Sequence, residues 1–112
     1  MDESTATAAL GALAQATRLA AFRTLIEAGQ GGLAAGELAE TLGTPHNTLS
    51  SHLAILARAG LVRSRREGRS VRYAVDSAGV RGLLRFLVGD CCNGRPEMCA
   101  PLPLILARGG CC

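Results

Sequence analysis

TPHNTLSSHLAILARAG (44–60) and the LVRSRREGRSVRYAV that continues it (61–75) decide the fold. In the first half Leu49, Leu53 and Leu56 recur at helical spacing with Ile55 alongside, while Asn47, Thr48, Ser50, Ser51 and Arg58 fall on the remaining surface. Thr44 before Pro45 reads as an N-cap and a first helical residue, and Gly60 after Ala59 as a stop, so the spacing predicts a helix over Pro45–Ala59 with a hydrogen-bonding front. The second half switches to period two. Leu61, Val62, Val71, Tyr73 and Val75 are strand-type residues on either side of Glu67-Gly68, an acidic-glycine turn. Helix, short stop and basic hairpin follow in the order of a winged helix-turn-helix.

Working outward, a short helix is expected over Ala35–Leu42, with Leu38 and Leu42 inward and Gly43 as its stop. A tight turn then leads into the Pro45 helix. Upstream, residues 1 to 7 are polar and expected to fray, a helix is predicted over Thr7–Ala16 with Leu10 and Leu13 on one side, and another over Thr17–Ala28. In that second helix Leu19, Phe22, Leu25 and Ile26 form an inward stripe, with Arg18, Arg23 and Glu27 outward. Downstream, Asp76-Ser77 caps a last helix over Ala78–Val88, whose Val80, Leu83, Leu84, Leu87 and Val88 are apolar. The whole is mainly α with a small β-hairpin, in the order α-α-α-α-β-β-α. With 112 residues there is one compact domain, and the apolar faces of the first and last helices favour a homodimer.

Net charge is only +3, and every basic residue is an arginine. Arg58, Arg63, Arg65, Arg66, Arg69 and Arg72 crowd the hairpin region against the single acid Glu67, a local positive patch suited to a polyanion. In a helix-turn-helix the second helix enters the major groove. That makes His46, Asn47, Thr48, Ser50, Ser51 and His52 candidates for base edges and phosphates, with Arg65, Arg66 and Arg69 of the wing on phosphate or in the minor groove. Competing roles remain open: His52 at the margin of the apolar stripe suits a structural place, Ser50 or Ser51 can bond back to its own helix, and Arg63 and Arg72 can shield strand edges.

No apolar run reaches the roughly 18 residues needed to span a bilayer, and MDESTATAAL lacks a basic n-region, which points to a cytoplasmic protein. All five cysteines lie in the last quarter. GDCCNGRPEMCAP (89–101) places Cys91, Cys92 and Cys99 in a turn-rich stretch after the last helix, which marks residues 91–112 as a cysteine-rich tail on a 1–90 DNA-binding and dimerisation domain. A disulfide between adjacent cysteines is strained, and disulfides are rare in the cytosol, so soft-ion or redox chemistry is the easier use. Zinc prefers four ligands, often with histidine, and both histidines lie back on the reading helix. Three thiols suit a three-coordinate centre such as As(III), or Sb(III), because condensation with a neutral trihydroxide leaves a neutral complex. Cys111 and Cys112 could add a fourth sulfur or a second site. No nucleophile–base or paired-carboxylate constellation marks an enzyme, and no organic cofactor is indicated.

These elements together resemble the ArsR/SmtB family of metal-responsive repressors. The resemblance spans roughly residues 7 to 100 and rests on LAQATRLAAFRTLIEAG, GELAETLGTPHNTLSSHLAIL, RREGRSVRYAV and CCNGRPEMC. SSHLAIL is similar to the family's recognition-helix signature, which implies DNA contact by Ser50, Ser51, His52 and their upstream neighbours. A cysteine pair with a third cysteine after the last helix resembles the arsenite-responsive branch, which implies As(III) on Cys91, Cys92 and Cys99 and release from an inverted-repeat operator. Two further readings stay beside it: a thiol redox sensor joining Cys91 or Cys92 to Cys99, and a Cd/Pb sensor drawing on Cys111 or Cys112. The terminal pair departs from the family pattern.

Overall fold

The computed structural model describes residues 1–88. Five helices and three strands follow in the order α1 (Glu3–Leu13), α2 (Ala16–Ala28), β1 (Leu33–Ala34), α3 (Ala35–Leu42), α4 (His46–Arg58), β2 (Val62–Glu67), β3 (Ser70–Val75) and α5 (Ser77–Val88). This is a winged helix-turn-helix. The hairpin β2–β3 is extended by β1, which pairs antiparallel to β3 through Leu33↔Tyr73, so the sheet order is β1-β3-β2.

The first helix begins earlier than its apolar pattern suggests. Asp2 is its N-cap, its carboxylate accepting from the Thr5 N–H at 2.7 Å, so residues 3–7 are helical instead of frayed. That hydrogen bond favours the charged carboxylate and holds Asp2 below its ordinary pKa. Helix α1 then stops at Leu13, because Gln15 starts α2 by accepting the Arg18 N–H at 2.8 Å. The face of α1 that packs inward is Ala6, Ala9 and Ala12, while Leu10 is 43% exposed and Leu13 half-buried. Alanine lets two helix backbones approach closely, and a leucine there would hold them apart. The same preference reshapes α2. Its inward residues are Ala21 and Leu25 with Phe22 half-buried, whereas Leu19 and Ile26, expected inside, are 45% and 49% exposed.

Helix α3 has its expected bounds. Glu37 reaches back to accept the Ala34 N–H at 2.9 Å, and Gly43 ends the helix at φ 64°, a left-handed conformation open to glycine. Helix α4 starts one residue later than expected. Pro45 has ψ 142° and serves as the cap, its carbonyl accepting the Leu49 N–H at 2.9 Å, while the Thr44 hydroxyl turns to the Leu42 carbonyl. Leu49, Leu53 and Leu56 are fully buried, each contributing about 1.5–3 kcal/mol by leaving water. Leu61 and Val62 join them as the chain enters β2.

The hairpin loop is Gly68-Arg69, not Glu67-Gly68, since Glu67 still pairs with Ser70 at the end of the ladder. Gly68 supplies the positive φ of 61° that the turn requires. Gly32 is as constrained: with φ 68°, a Cβ there would sit 2.0 Å from the Tyr73 carbonyl oxygen, so only glycine lets β1 lie along β3. Helix α5 opens with Asp76 accepting the Gly79 N–H at 3.2 Å, as the capping pair implies, and sends Leu83 into the core.

Candidate nucleic-acid interface

The reading face expected of α4 is on the surface. His46, Asn47, Thr48, Ser50, Ser51 and Arg58 are exposed on the side opposite Leu49, Leu53 and Leu56. Ser51 Oγ lies 3.5 Å from the Asn47 carbonyl, a long back-bond that a better acceptor can replace. Among the described residues no side chain caps the N-terminus of α4. Its first-turn N–H groups are therefore free to meet a phosphate, a feature that an expected Thr44 cap concealed.

His52 differs from its neighbours. It is half-buried, and its Nδ1 lies 3.2 Å from an Arg18 guanidinium nitrogen. Arg18 was placed outward by the periodicity of α2, yet it is half-buried and its Nε donates to the Ala12 carbonyl at 2.6 Å. No local pattern signals this, because the partners come from three different helices.

On the wing, Arg65, Arg66 and Arg69 are exposed, but they are not equivalent. Glu67 takes Arg65 at 2.8 Å and Arg72 at 3.1 Å, which neutralises part of the patch. Those two guanidinium groups hold the Glu67 carboxyl below its ordinary pKa, Arg72 more strongly. Arg66 and Arg69 form no ion pair among the described residues, and they carry the unneutralised charge of the tip. Arg72 also donates to the carbonyls of Gly31 and Gly32 at 3.2 and 3.1 Å, and Arg63 donates to Gln30 at 3.0 Å. These two arginines fasten the wing to the loop before β1 instead of shielding strand edges, and Arg72 lies on the central strand β3. Gln30, which the sequence did not single out, donates in turn to Ser77 Oγ at 3.0 Å and so joins the wing root to α5. Between this loop and Arg63, Arg65 and Arg72 lies a shallow recess of about 280 Å³.

Cys91, Cys92, Cys99, Cys111 and Cys112, and the boundary expected near residue 90, lie outside the described residues. Among the described residues no group of three histidine, cysteine or acidic side chains is placed to hold a metal ion. Nor, among them, is any helix long and apolar enough to cross a membrane.

The family described as "Helix-turn-helix domain" matches residues 13–65, from the end of α1 into β2. HlyU from Vibrio cholerae is 33% identical over 79% of this chain and 95% of its own solved chain, with a TM-score of 0.64. Its reduced form is 34% identical over 76% and 86% of the two chains, with a TM-score of 0.62. A homodimeric winged helix-turn-helix domain from Mycobacterium bovis, described as a possible ArsR-family transcriptional regulator, is 29% identical over 76% and 77%, with a TM-score of 0.62. This chain belongs to the ArsR/SmtB-type family of regulators. Another relative is the HTH-type transcriptional regulator KmtR of Mycobacterium tuberculosis, 39% identical over 64% of this chain and 53% of its own. This ArsR/SmtB-type chain spans about half the length of the curated relatives it matches.

Proposed function

We propose that this chain is a DNA-binding transcriptional repressor that acts as a homodimer on an inverted-repeat operator and lets go when its cysteines close on As(III) or Sb(III). The observation that carries the DNA half is the exposed front of α4, uncapped at its N-terminus and flanked by a wing whose Arg66 and Arg69 are not neutralised. A helix of this width fits the major groove, and the wing arginines meet phosphate beside it. The dimer is supported by Leu19 and Ile26, two turns apart on one side of α2 and about half exposed, and by the apolar Phe86 and Leu87 left on the surface of α5. In a two-fold dimer the two α4 helices would read half-sites about one turn of DNA apart.

The inducer half rests on the chemistry of the donor set. Cys91, Cys92 and Cys99 are three soft donors, and they would hold a trivalent arsenic centre as a neutral trithiolate. Cys91 stands three residues beyond the last described residue of α5, so drawing the three sulfurs together pulls on the helix that packs against α1. A coupling of ~1–3 kcal/mol per site is enough to lower operator affinity by about 5–150-fold.

Duplexes selected from a random pool on the full-length chain supply the operator, and titration of one with protein and then arsenite, under full reduction, tests the reading. Wild type is expected to release the DNA, and Cys91→Ser, Cys92→Ser and Cys99→Ser to hold it in the presence of arsenite. Undiminished arsenite release by the triple variant overturns the inducer assignment. The redox alternative has support of its own, since a relative's structure is described as the reduced form. There two thiols pass two electrons and two protons to peroxide, giving one disulfide and two waters. Release by peroxide but not by arsenite, with a mass loss of two hydrogens, favours it. A response to cadmium or lead that disappears on deleting residues 109–112 favours the divalent-ion reading.

A further inference from the structure

Arg18 bridges three helices. Its Nε donates to the carbonyl of Ala12 at the end of α1, its backbone belongs to the first turn of α2, and a terminal nitrogen meets His52 Nδ1 of α4 at 3.2 Å. A guanidinium carries donors and no acceptor. The nitrogen that faces it must therefore accept, which leaves the single ring hydrogen of His52 on Nε2. The surroundings reinforce that choice. From α2 the charged group in contact with the ring is Arg18, and α1 contributes an uncharged carbonyl. On α3, Glu37 is turned to the Ala34 N–H, while on α4 itself His46 and Arg58 are exposed. Among the described residues no carboxylate pairs with either Arg18 or His52. A hydrogen on Nδ1 would oppose the guanidinium with no acid to compensate.

We infer that Arg18 is a positioning residue that fixes His52 in the Nε2–H tautomer, so that the ring presents an uncharged donor at the margin of the α4 reading face to an acceptor on duplex DNA. The inference rests on the DNA-binding reading above and adds to it a contact that does not release a counterion. A neutral donor contributes affinity that is independent of salt, unlike an arginine on phosphate.

Two measurements on the full chain test it. Long-range proton–nitrogen correlation spectra of the free protein should show His52 as the Nε2–H tautomer, and as a mixture in Arg18→Met, with the His46 ring signals unchanged as evidence that the variant is folded. On a selected duplex, His52→Gln, whose amide occupies the place of Nε2, should bind within a few-fold of wild type. His52→Asn, whose amide occupies the place of Nδ1, should bind about tenfold more weakly with an unchanged slope against salt. Equal losses for the two variants, or a slope smaller by about one in His52→Asn, overturn the inference. So does a mixed tautomer in the free wild type, even where the DNA-binding reading stands. A fixed tautomer in a protein that selects no duplex overturns the functional reading, and the role given to the Nε2–H with it.

Discussion

Two glycines one turn apart on α5 face opposite consequences from the same substitution. At Gly79 an added Cβ would stand 1.8 Å from the Gly60 carbonyl oxygen and 2.9 Å from its carbon. Side-chain carbons keep at least 3.0 Å from such atoms, so in Gly79→Ala the first turn of α5 must retreat by about 1.2 Å, the difference between 3.0 and 1.8 Å. The obstacle is backbone: Gly60 donates to the Ala57 carbonyl, and the neighbouring Leu61 carbonyl accepts the Asp76 N–H. Overpacking against atoms that cannot rotate away costs about 1–3 kcal/mol. Exchanging glycine for alanine in a helix returns about 0.5–1 kcal/mol of that. Gly79→Ala should therefore be less stable than wild type by up to about 2.5 kcal/mol, and a domain of this size loses about 4–8 °C in Tm per kcal/mol. At Gly82 the nearest atom to a Cβ is the Met1 Cε at 3.5 Å, an ordinary contact on a flexible side chain. Gly82→Ala should match or exceed wild type, by up to about 1 kcal/mol. Thermal melts of the three proteins at one concentration, fixed because a dimer's Tm depends on it, read the contrast. If Gly79→Ala and Gly82→Ala melt together, α5 does not press on the turn that ends α4.

Leu53 is fully buried at the centre of α4, and Leu53→Ala should lower the free energy of unfolding by about 2–5 kcal/mol in urea titrations; a loss below 1 kcal/mol would refute its place in the core. Arg66→Ala and Arg69→Ala should each weaken duplex binding across all sequences and reduce the slope of affinity against salt by about one, while leaving sequence preference unchanged in a repeated selection. Glu67 is held below its ordinary value of 4.5 by Arg72 and Arg65, so its contribution to stability is present above that value and disappears as pH falls through the lower folded-state value. Glu67→Gln should accordingly flatten the acid side of the stability–pH curve, and should raise the salt slope of DNA binding by releasing Arg65; identical acid curves for the two proteins would contradict the ion pairs.

The recognition helix was legible in sequence because its signals are local. Three leucines at helical spacing, a proline before them and a glycine after them define both its extent and its buried side, and burial of Leu49, Leu53 and Leu56 agrees. The wing was equally legible as a basic hairpin, but not the bonds by which Arg63 and Arg72 fasten it to residues 30–32, since these join positions far apart in sequence. Its turn shifted by one residue because Gly68 supplies the left-handed position and Glu67 is retained by two arginines. The two-residue strand β1 carries no local signal, as its pairing is made with β3 some forty residues away. Helix α1 departs from its expected bounds for a different reason: the Asp2 carboxylate caps it so that it starts at Glu3, ahead of the expected Thr7.

What the order of residues determined by itself is the architecture and the exposed chemistry of the reading head, since period, caps and glycines act between near neighbours. The cysteine set belongs to the sequence as well, and its donor chemistry follows from residue type alone. Only the tertiary structure decided which sides of α1 and α2 turn inward, that Arg18 clasps His52 across three helices, and that α5 rests on the end of α4 through Gly79 and Gly60. Each of these depends on how closely two backbones approach, and that distance is settled by all the packed elements together.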